Sequence, residues 1–546
     1  MDRVAGMAFV ACMLGVGPLA AQQEDHPGKP VYDKWCAGCH GVDGRGEGPA
    51  AAYMLPRPRD FTQALYQIRT TASGSIPTDA DIRKIIDEGM PGTAMPAWEE
   101  ALSSADRDAL VGYLKTFSRY FETDEPRVVE VGGAPRVSDD LLEAGREAYQ
   151  TLECFKCHGQ SGRGDGPSAP TQADADDFPV RPADLTQPWL FSGGASVEEI
   201  YRRFLTGLDG TPMPSYVDVL EAGVVTEEQL WGLAHYVREL GGDAPRVREV
   251  VAAARFEEAL PSAPDDAAWE DAERFWIPLA GQIIEEPRWF APAVTGVWVQ
   301  ALHDGRELAL RVSWNDRSES PDPEWAGWRD QVNAIMAPGP AGAVAVTSST
   351  ADAQAATPPS TADAAAATPT PDAGPAAAPD ALAVWFPAPD ARDRPYFLMG
   401  SERGPVRVWY WDSRSGAAER LGRGLGNLEP LPAAEGALQG QAVFEEGRWS
   451  VLLRRPLVDG DSAAATLIPA GQPLPMAFMV WDGDNAEAGT RGAISSWYYV
   501  QLTEPTPPTV YALPVLAVLL TAALGLLLVR RAQRRARTPA AAPAPA

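Results

Sequence analysis

Cys36-Ala37-Gly38-Cys39-His40 places two thiols two residues apart, with an imidazole directly after the second. Each thiol can add across one vinyl group of a haem, and the adjacent histidine then lies under the iron as proximal ligand. This is the attachment signature of c-type haem. A thioether on the opposite face completes an electron-transfer centre of raised potential. Met95 stands 55 residues after His40, in Gly92-Thr93-Ala94-Met95-Pro96. The arrangement recurs 118 residues on as Cys154-Phe155-Lys156-Cys157-His158, with Met213 in Gly210-Thr211-Pro212-Met213-Pro214, again 55 residues after its histidine. Gly44-Arg45-Gly46-Glu47-Gly48-Pro49 matches Gly162-Arg163-Gly164-Asp165-Gly166-Pro167, and Arg57-Pro58-Arg59-Asp60-Phe61-Thr62 matches Arg181-Pro182-Ala183-Asp184-Leu185-Thr186. One small unit is therefore duplicated in tandem. A zinc site or disulfides would use the same cysteines, but neither explains a histidine after each pair and a distant methionine for each.

The elements that must hold these residues are helices. In the first unit, 24–122, a helix over 26–35 leads into the motif, and the glycine-rich 44–49 must loop over the haem edge. Thr78 and Asp81 form a capping box before Ile82, Ile85 and Ile86, and Ser104 can cap a last helix bearing Leu110, Tyr113, Leu114 and Phe117. The second unit, 138–242, follows the same plan, with Ser196 and Thr226 as caps and Leu230, Leu233, Ala234 and Val237 as the buried stripe. An acidic insertion, 172–178, is expected to loop out. His235 on the last helix is either a surface histidine or a competing iron ligand. Together these features resemble class I cytochrome c. The resemblance implies two all-α domains, two covalent c haems, His40 with Met95 and His158 with Met213 as axial ligands, and Trp98 as the aromatic that follows the distal methionine.

The chain has 546 residues and five cysteines, four of them in the two motifs. The fifth, Cys12, lies in an apolar N-terminal stretch that reads as a signal peptide over 1–21; an uncleaved anchor is the alternative. Near the other end, 510–529 is a run of 20 uncharged residues followed by Arg530, Arg531, Arg534, Arg535 and Arg537. That pattern predicts one transmembrane helix with 530–546 as a cytoplasmic tail, which leaves the bulk of the chain on the periplasmic side of a bacterial inner membrane. The formal charge is −28, and the tail arginines make the remainder more negative still. Nucleic acid is excluded as a partner, and the charge suits either docking to basic proteins or plain solubility.

After a charged linker, 243–264, the composition changes. Thirteen of the 17 tryptophans lie between Trp269 and Trp497. Strand-like runs flank His303-Asp304-Gly305-Arg306 as a hairpin, and further strands are predicted around Val384, Val406, Trp449, Met476 and Trp497. They predict an all-β sandwich over 265–505, interrupted by an Ala/Pro/Thr-rich insertion, 338–380, that cannot bury a core. Ala301-Leu302-His303-Asp304-Gly305, Pro395-Tyr396-Phe397-Leu398-Met399-Gly400 and Val480-Trp481-Asp482-Gly483 resemble the haem b-binding subunit of ethylbenzene dehydrogenase and related type II enzymes of the dimethyl sulfoxide reductase family. The resemblance implies a b haem between a methionine, at Met399, and a lysine between Trp481 and Ser495. That stretch has no lysine, and the last one in the chain is Lys156. Arg491 is nearest, but a guanidinium has no lone pair for iron. His303 is the remaining histidine of the domain.

The fold class is thus multidomain: two all-α cytochrome c domains, one all-β sandwich and a C-terminal transmembrane helix. No nucleophile, general base or molybdopterin site is evident, so the expectation is an electron-transfer protein and not a catalyst. It would carry two c haems, with a b haem left open, in a respiratory chain. The expected partners are a soluble cytochrome, a quinol-linked complex or molybdoenzyme subunits. The alternative is a dihaem carrier whose sandwich is a haem-free docking or carbohydrate-type module.

Overall fold

A computed structural model describes residues 25–336, 377–389, 391–431, 438–457, 472–504 and 508–537. The signal-peptide reading and most of the 338–380 insertion fall outside these residues. In the first unit the helix Lys29–Trp35 runs into a short turn, Ala37–His40, that carries the attachment motif. Asp79–Glu88 is opened by the Thr78/Asp81 capping box, and Ser104–Lys115 closes the unit. Its N-cap is Ser103, whose side chain accepts from the Asp106 amide, so the predicted cap at Ser104 is displaced by one residue. Tyr32, Ile82, Ile86, Leu110 and Leu114 form the core.

The second unit repeats this with Asp139–Thr151, Phe155–His158, Val197–Thr206 and Glu227–Leu240. Its first and last helices cross at glycine on glycine. A Cβ at Gly145 would collide with the Gly232 carbonyl, and one at Gly232 with that of Leu141. Contact this close requires residues without side chains.

The third unit is a single hydrogen-bonded path of strands folded back on itself. Gly296–His303 and Glu307–Asn315 pair as the expected hairpin, with Gly305 at φ 89° and the Asp304 carboxylate accepting from the Arg306 and Glu307 amides. Arg448–Pro456 extends that half, while Ala381–Pro387, Val406–Asp412 and Leu474–Trp481 make the other. Alternate residues of both halves, among them Val299, Leu310, Val312, Val384, Phe386, Val451 and Phe478, meet in one apolar core. Two expectations are corrected here. Val250–Arg255, inside the predicted linker, is a strand that pairs in parallel with Tyr498–Thr503 and with Gly296–His303. Asp380, the last residue of the predicted insertion, is fully buried and accepts from the Ser320 and Gly483 amides and the Trp449 indole.

A helix that sequence reading missed, Ala326–Met336, brings Trp328, Val332 and Met336 against Leu55 of the first unit and Ala169 and Phe178 of the second. The three units therefore share a small common core. The C-terminal helix Pro508–Arg537 contains a 23-residue span, Ala512–Arg534, long and apolar enough overall to cross a membrane and not buried against the described residues.

Candidate functional site

In both attachment motifs the histidine is aimed in the same way. His40 Nδ1 lies 3.0 Å from the Arg59 carbonyl, and His158 Nδ1 lies 3.0 Å from that of Ala183. An Nδ1–H donated to a carbonyl fixes the ring and leaves the Nε2 lone pair for a metal. Each carbonyl sits beside an aspartate that braces its loop. Asp60 Oδ1 accepts from the Thr62 amide at 2.8 Å and hydroxyl at 2.7 Å, and Asp184 Oδ1 accepts likewise from Thr186 at 2.9 and 2.6 Å. Burial is the foremost cause pushing both imidazoles towards the neutral form. It also pushes the Cys36 thiol up to about 12 and that of Cys154 to about 11. As thioethers these sulfurs would have no charge to lose.

The methionine loops are equally congruent. The Met90 amide donates to the Met95 carbonyl at 3.1 Å, the Met95 amide to Thr93 Oγ1 at 3.2 Å, and that hydroxyl to the Met90 carbonyl at 2.7 Å. Leu208, Thr211 and Met213 repeat the set at 3.0, 3.2 and 2.8 Å.

Both histidines, both methionines and all four motif cysteines line a single cavity of about 1270 Å³. Among the described residues the two sites open onto this one cavity. Gly92 of the first methionine loop lies beside Leu190 of the second unit, and Gly210 of the second loop lies beside Arg59 of the first. The 172–178 insertion does not loop out: Gln172, Asp174, Asp176 and Phe178 line this cavity, and the Arg57 guanidinium stands 4.8 Å over the Phe178 ring. The third unit adds Pro292, Val294 and 315–317 to the wall. Asn315 Nδ2 donates to Asp184 Oδ2 at 2.6 Å and to Thr186 Oγ1 at 3.0 Å, which ties the sandwich to the loop that aims His158. Sequence reading noted Arg57, Asp184 and Thr186 as parts of the repeat and 172–178 as an insertion, but gave none of them a cross-unit role, because nothing in their local pattern points to a partner in another unit.

These donor sets fit two c haems. Each has two thiols, an imidazole with its outer nitrogen already engaged, and a thioether on a preformed loop, all partly open to one cavity. His235 does not compete: its Nε2 lies 3.0 Å from the Pro135 carbonyl. Trp98, the aromatic that follows Met95, lines the cavity and packs on Trp35 at 5.4 Å.

The residues around Met399 do not fit a b haem. Met399 is 1% exposed and packs in one cluster with Trp385, Leu398, Val408 and Trp481; the neighbouring cleft of about 500 Å³ is lined by Leu398, Gly400 and Gly424 and not by Met399. Its left-handed backbone, φ 56°, is held by the Gly424 amide, which donates to the Met399 carbonyl at 2.9 Å. Where the resemblance would place lysine, the chain has a buried acidic network. Glu487 accepts from the Trp289 indole at 3.0 Å and from Asn485 Nδ2 at 2.7 Å, and Asp482 accepts from the Asn485 amide at 3.0 Å. Arg491 is engaged elsewhere, donating to Asn333 at 3.2 Å and lying 5.6 Å over Trp289. Buried His303 has Nε2 3.2 Å from the Thr503 carbonyl.

With this geometry in hand, comparison with known proteins places two cytochrome c domains in the chain. Residues 23–114 match the family model for subunit III of cbb3-type cytochrome c oxidase, and 142–241 match that for cytochrome c. Over 120 residues the chain is 33% identical to a Haloferax mediterranei protein named for the haem subunit of a respiratory nitrate reductase. Over 123 residues it is 28% identical to the gamma subunit of chlorate reductase from Ideonella dechloratans. Each match covers 22% of this chain, and 42% and 50% of those relatives respectively, so the chain spans half or less of their length. A solved Kuenenia stuttgartiensis reducing HAO-like protein complex contains a chain 46% identical to this one, with 39% of this chain and 96% of that one covered at a TM-score of 0.37. The protein is thus a cytochrome c-domain protein homologous to haem subunits of the nitrate and chlorate reductase kind, and electron transfer is its class of function.

Proposed function

We propose that this chain is a dihaem electron carrier anchored by its C-terminal helix on the periplasmic face of the inner membrane, serving a larger oxidoreductase complex as a subunit or docking partner. The observation that carries the reading is the single cavity shared by both attachment motifs and both methionine loops. When bound, a histidine–methionine c haem supplies a one-electron couple of raised potential. The chain's own residues set its conditions. Arg59 and Ala183 carbonyls orient the imidazoles, and the threonine-braced loops present the thioethers. His40 with Met95 and His158 with Met213 would hold the two irons, which would leave neither site open for a substrate. The names of the relatives support assembly with a reductase, and the acidic surface suits a basic partner. The third domain is read here as a haem-free docking module, because Met399 and the acidic loop do not fit the haem of the resembling subunits.

A pyridine haemochrome spectrum of the purified full chain tests this: two c haems and no b haem per chain are expected. A b haem in stoichiometric amount would overturn the haem-free assignment. Truncation before residue 508 should move the protein from the membrane fraction to the soluble one; retention in the membrane would refute the anchor.

A further inference from the structure

Three arginines in the wall around the second attachment site keep buried N–H groups unpaired, although Arg163 reaches Glu446 at 3.9 Å and Arg181 Nη2 donates to the Pro292 carbonyl at 3.2 Å. Arg163 and Arg181 come from the second unit, and Arg317 reaches in from the third. Arg317 Nε, Arg181 Nη1 and Arg163 Nε are buried and have no hydrogen-bond acceptor among the described residues. Buried guanidinium N–H groups are almost always paired. Burial first, and then the like charge of Arg317, push Arg181 down to about 10, with Glu487 and Asp482 opposing. Asp165 and Asp482 lie within electrostatic reach of Arg317, yet no carboxylate among the described residues accepts from its Nε, which leaves that N–H for an acceptor entering the cavity.

Arg317 packs against a glycine. At Gly164, φ 76°, a Cβ would lie 3.4 Å from Arg317 Nε and 2.7 Å from the Pro182 carbonyl. Gly164 belongs to the loop over the haem edge. Its counterpart in the first unit, Gly46, has only Pro58 and Arg59 of its own unit as nearest neighbours. The asymmetry singles out the second site, to which the third domain is also tied through Asn315 and Asp184.

The anionic groups of a haem are its propionate carboxylates, and bidentate guanidinium pairing suits them. We propose that Arg317, delivered by the third domain, binds a propionate of the haem attached at Cys154 and Cys157, making that domain part of this haem's site and a determinant of its potential. The inference rests on the dihaem reading above. Arg317 acts here as a positioning residue: its positive charge favours the reduced, less positive centre.

The test is spectroelectrochemical titration of the purified full chain, its Arg317→Gln and Arg317→Lys variants, and Met213→His, which lowers the second haem's potential and so marks its wave. Arg317→Gln should cut the reduction equilibrium of the second haem roughly tenfold, about 59 mV for one electron, and leave the first unmoved. Arg317→Lys should give a smaller drop in the same haem, and it supplies the answer if the glutamine variant fails to fold. Two haems per chain with both potentials unmoved in these variants would overturn the proposal, as would a shift confined to the first haem. Fewer than two haems in the natural protein would instead sink the dihaem reading. Added chloride or phosphate at constant ionic strength should leave the potentials unmoved; a shift that follows either would mean a free anion fills the site, and would overturn the propionate assignment.

Discussion

Arg69 Nη2 and Asp209 Oδ2 stand 2.8 Å apart across the boundary between the two cytochrome domains, Arg69 fully buried and Asp209 nearly so. Asp209 belongs to the loop that presents Met213, and it also accepts from the Ser73 hydroxyl and the Gly74 amide, each at 2.9 Å. Arg69 additionally donates to the Thr206 carbonyl at 2.8 Å. The second methionine loop is thus held in place by the first domain.

Breaking this pair should loosen the loop. Asp209→Ala leaves a buried guanidinium without its carboxylate, a loss of about 3–5 kcal/mol in comparable cases. Chemical denaturation followed by circular dichroism should show a drop of that order. The second haem's potential should move further than the first; equal shifts would mean the pair acts on overall stability alone.

Removing the thiols should act one site at a time. The double variant Cys36→Ala/Cys39→Ala is expected to carry one haem per chain by pyridine haemochrome, and Cys154→Ala/Cys157→Ala likewise one. Loss of both haems from either variant would show that the sites cannot be filled independently.

Acidity should stabilise the third domain. Burial, with mutual repulsion behind it, raises Asp316 well above the usual carboxylate range, Asp380 to about 7, Asp482 to about 6 and Glu487 to about 7. These groups bind protons in the fold that they release on unfolding, so their stabilising contribution is complete below about pH 4 and is lost as pH rises to about 7. Denaturation followed by tryptophan fluorescence, which reports mainly on this domain, should give a lower midpoint at pH 8 than at pH 5. Asp482→Asn should flatten that dependence; an unaltered slope would point to other groups.

The glycine crossing in the second domain should tolerate no side chain. Gly232→Val forces a Cβ into the Leu141 carbonyl, and overpacking of this sort costs about 1–3 kcal/mol or more. A lowered midpoint with the haem content at Cys36 and Cys39 preserved is the expected pattern.

His40, Met95, His158 and Met213 could be singled out as candidate haem ligands because that chemistry demands fixed local spacings, and the four line one cavity. The capping boxes at Thr78 and Thr226 were legible for the same reason. Pairings between distant segments were not. Val250–Arg255 looked like linker because its partner, Tyr498–Thr503, lies some 250 residues away, and no periodicity announces a parallel neighbour. The acidic 172–178 stretch looked solvent-bound because Arg57 and Phe178 are brought together only by the packing of one domain on the other. Arg317 carries no motif at all.

That parallel pairing has a mechanical side. Val250 lies beside Tyr499 and Ala254 beside Thr503, so the two strands run in the same direction. The chain arrives from the cytochrome domains at one end of this ribbon and departs towards the C-terminal helix at the other, about 20 Å away at the usual rise of a strand. A pull between the helix and the haem-bearing domains would load the ribbon's hydrogen bonds together, in shear, instead of peeling them apart one by one. The third domain would serve as a stiff strut in that line of tension.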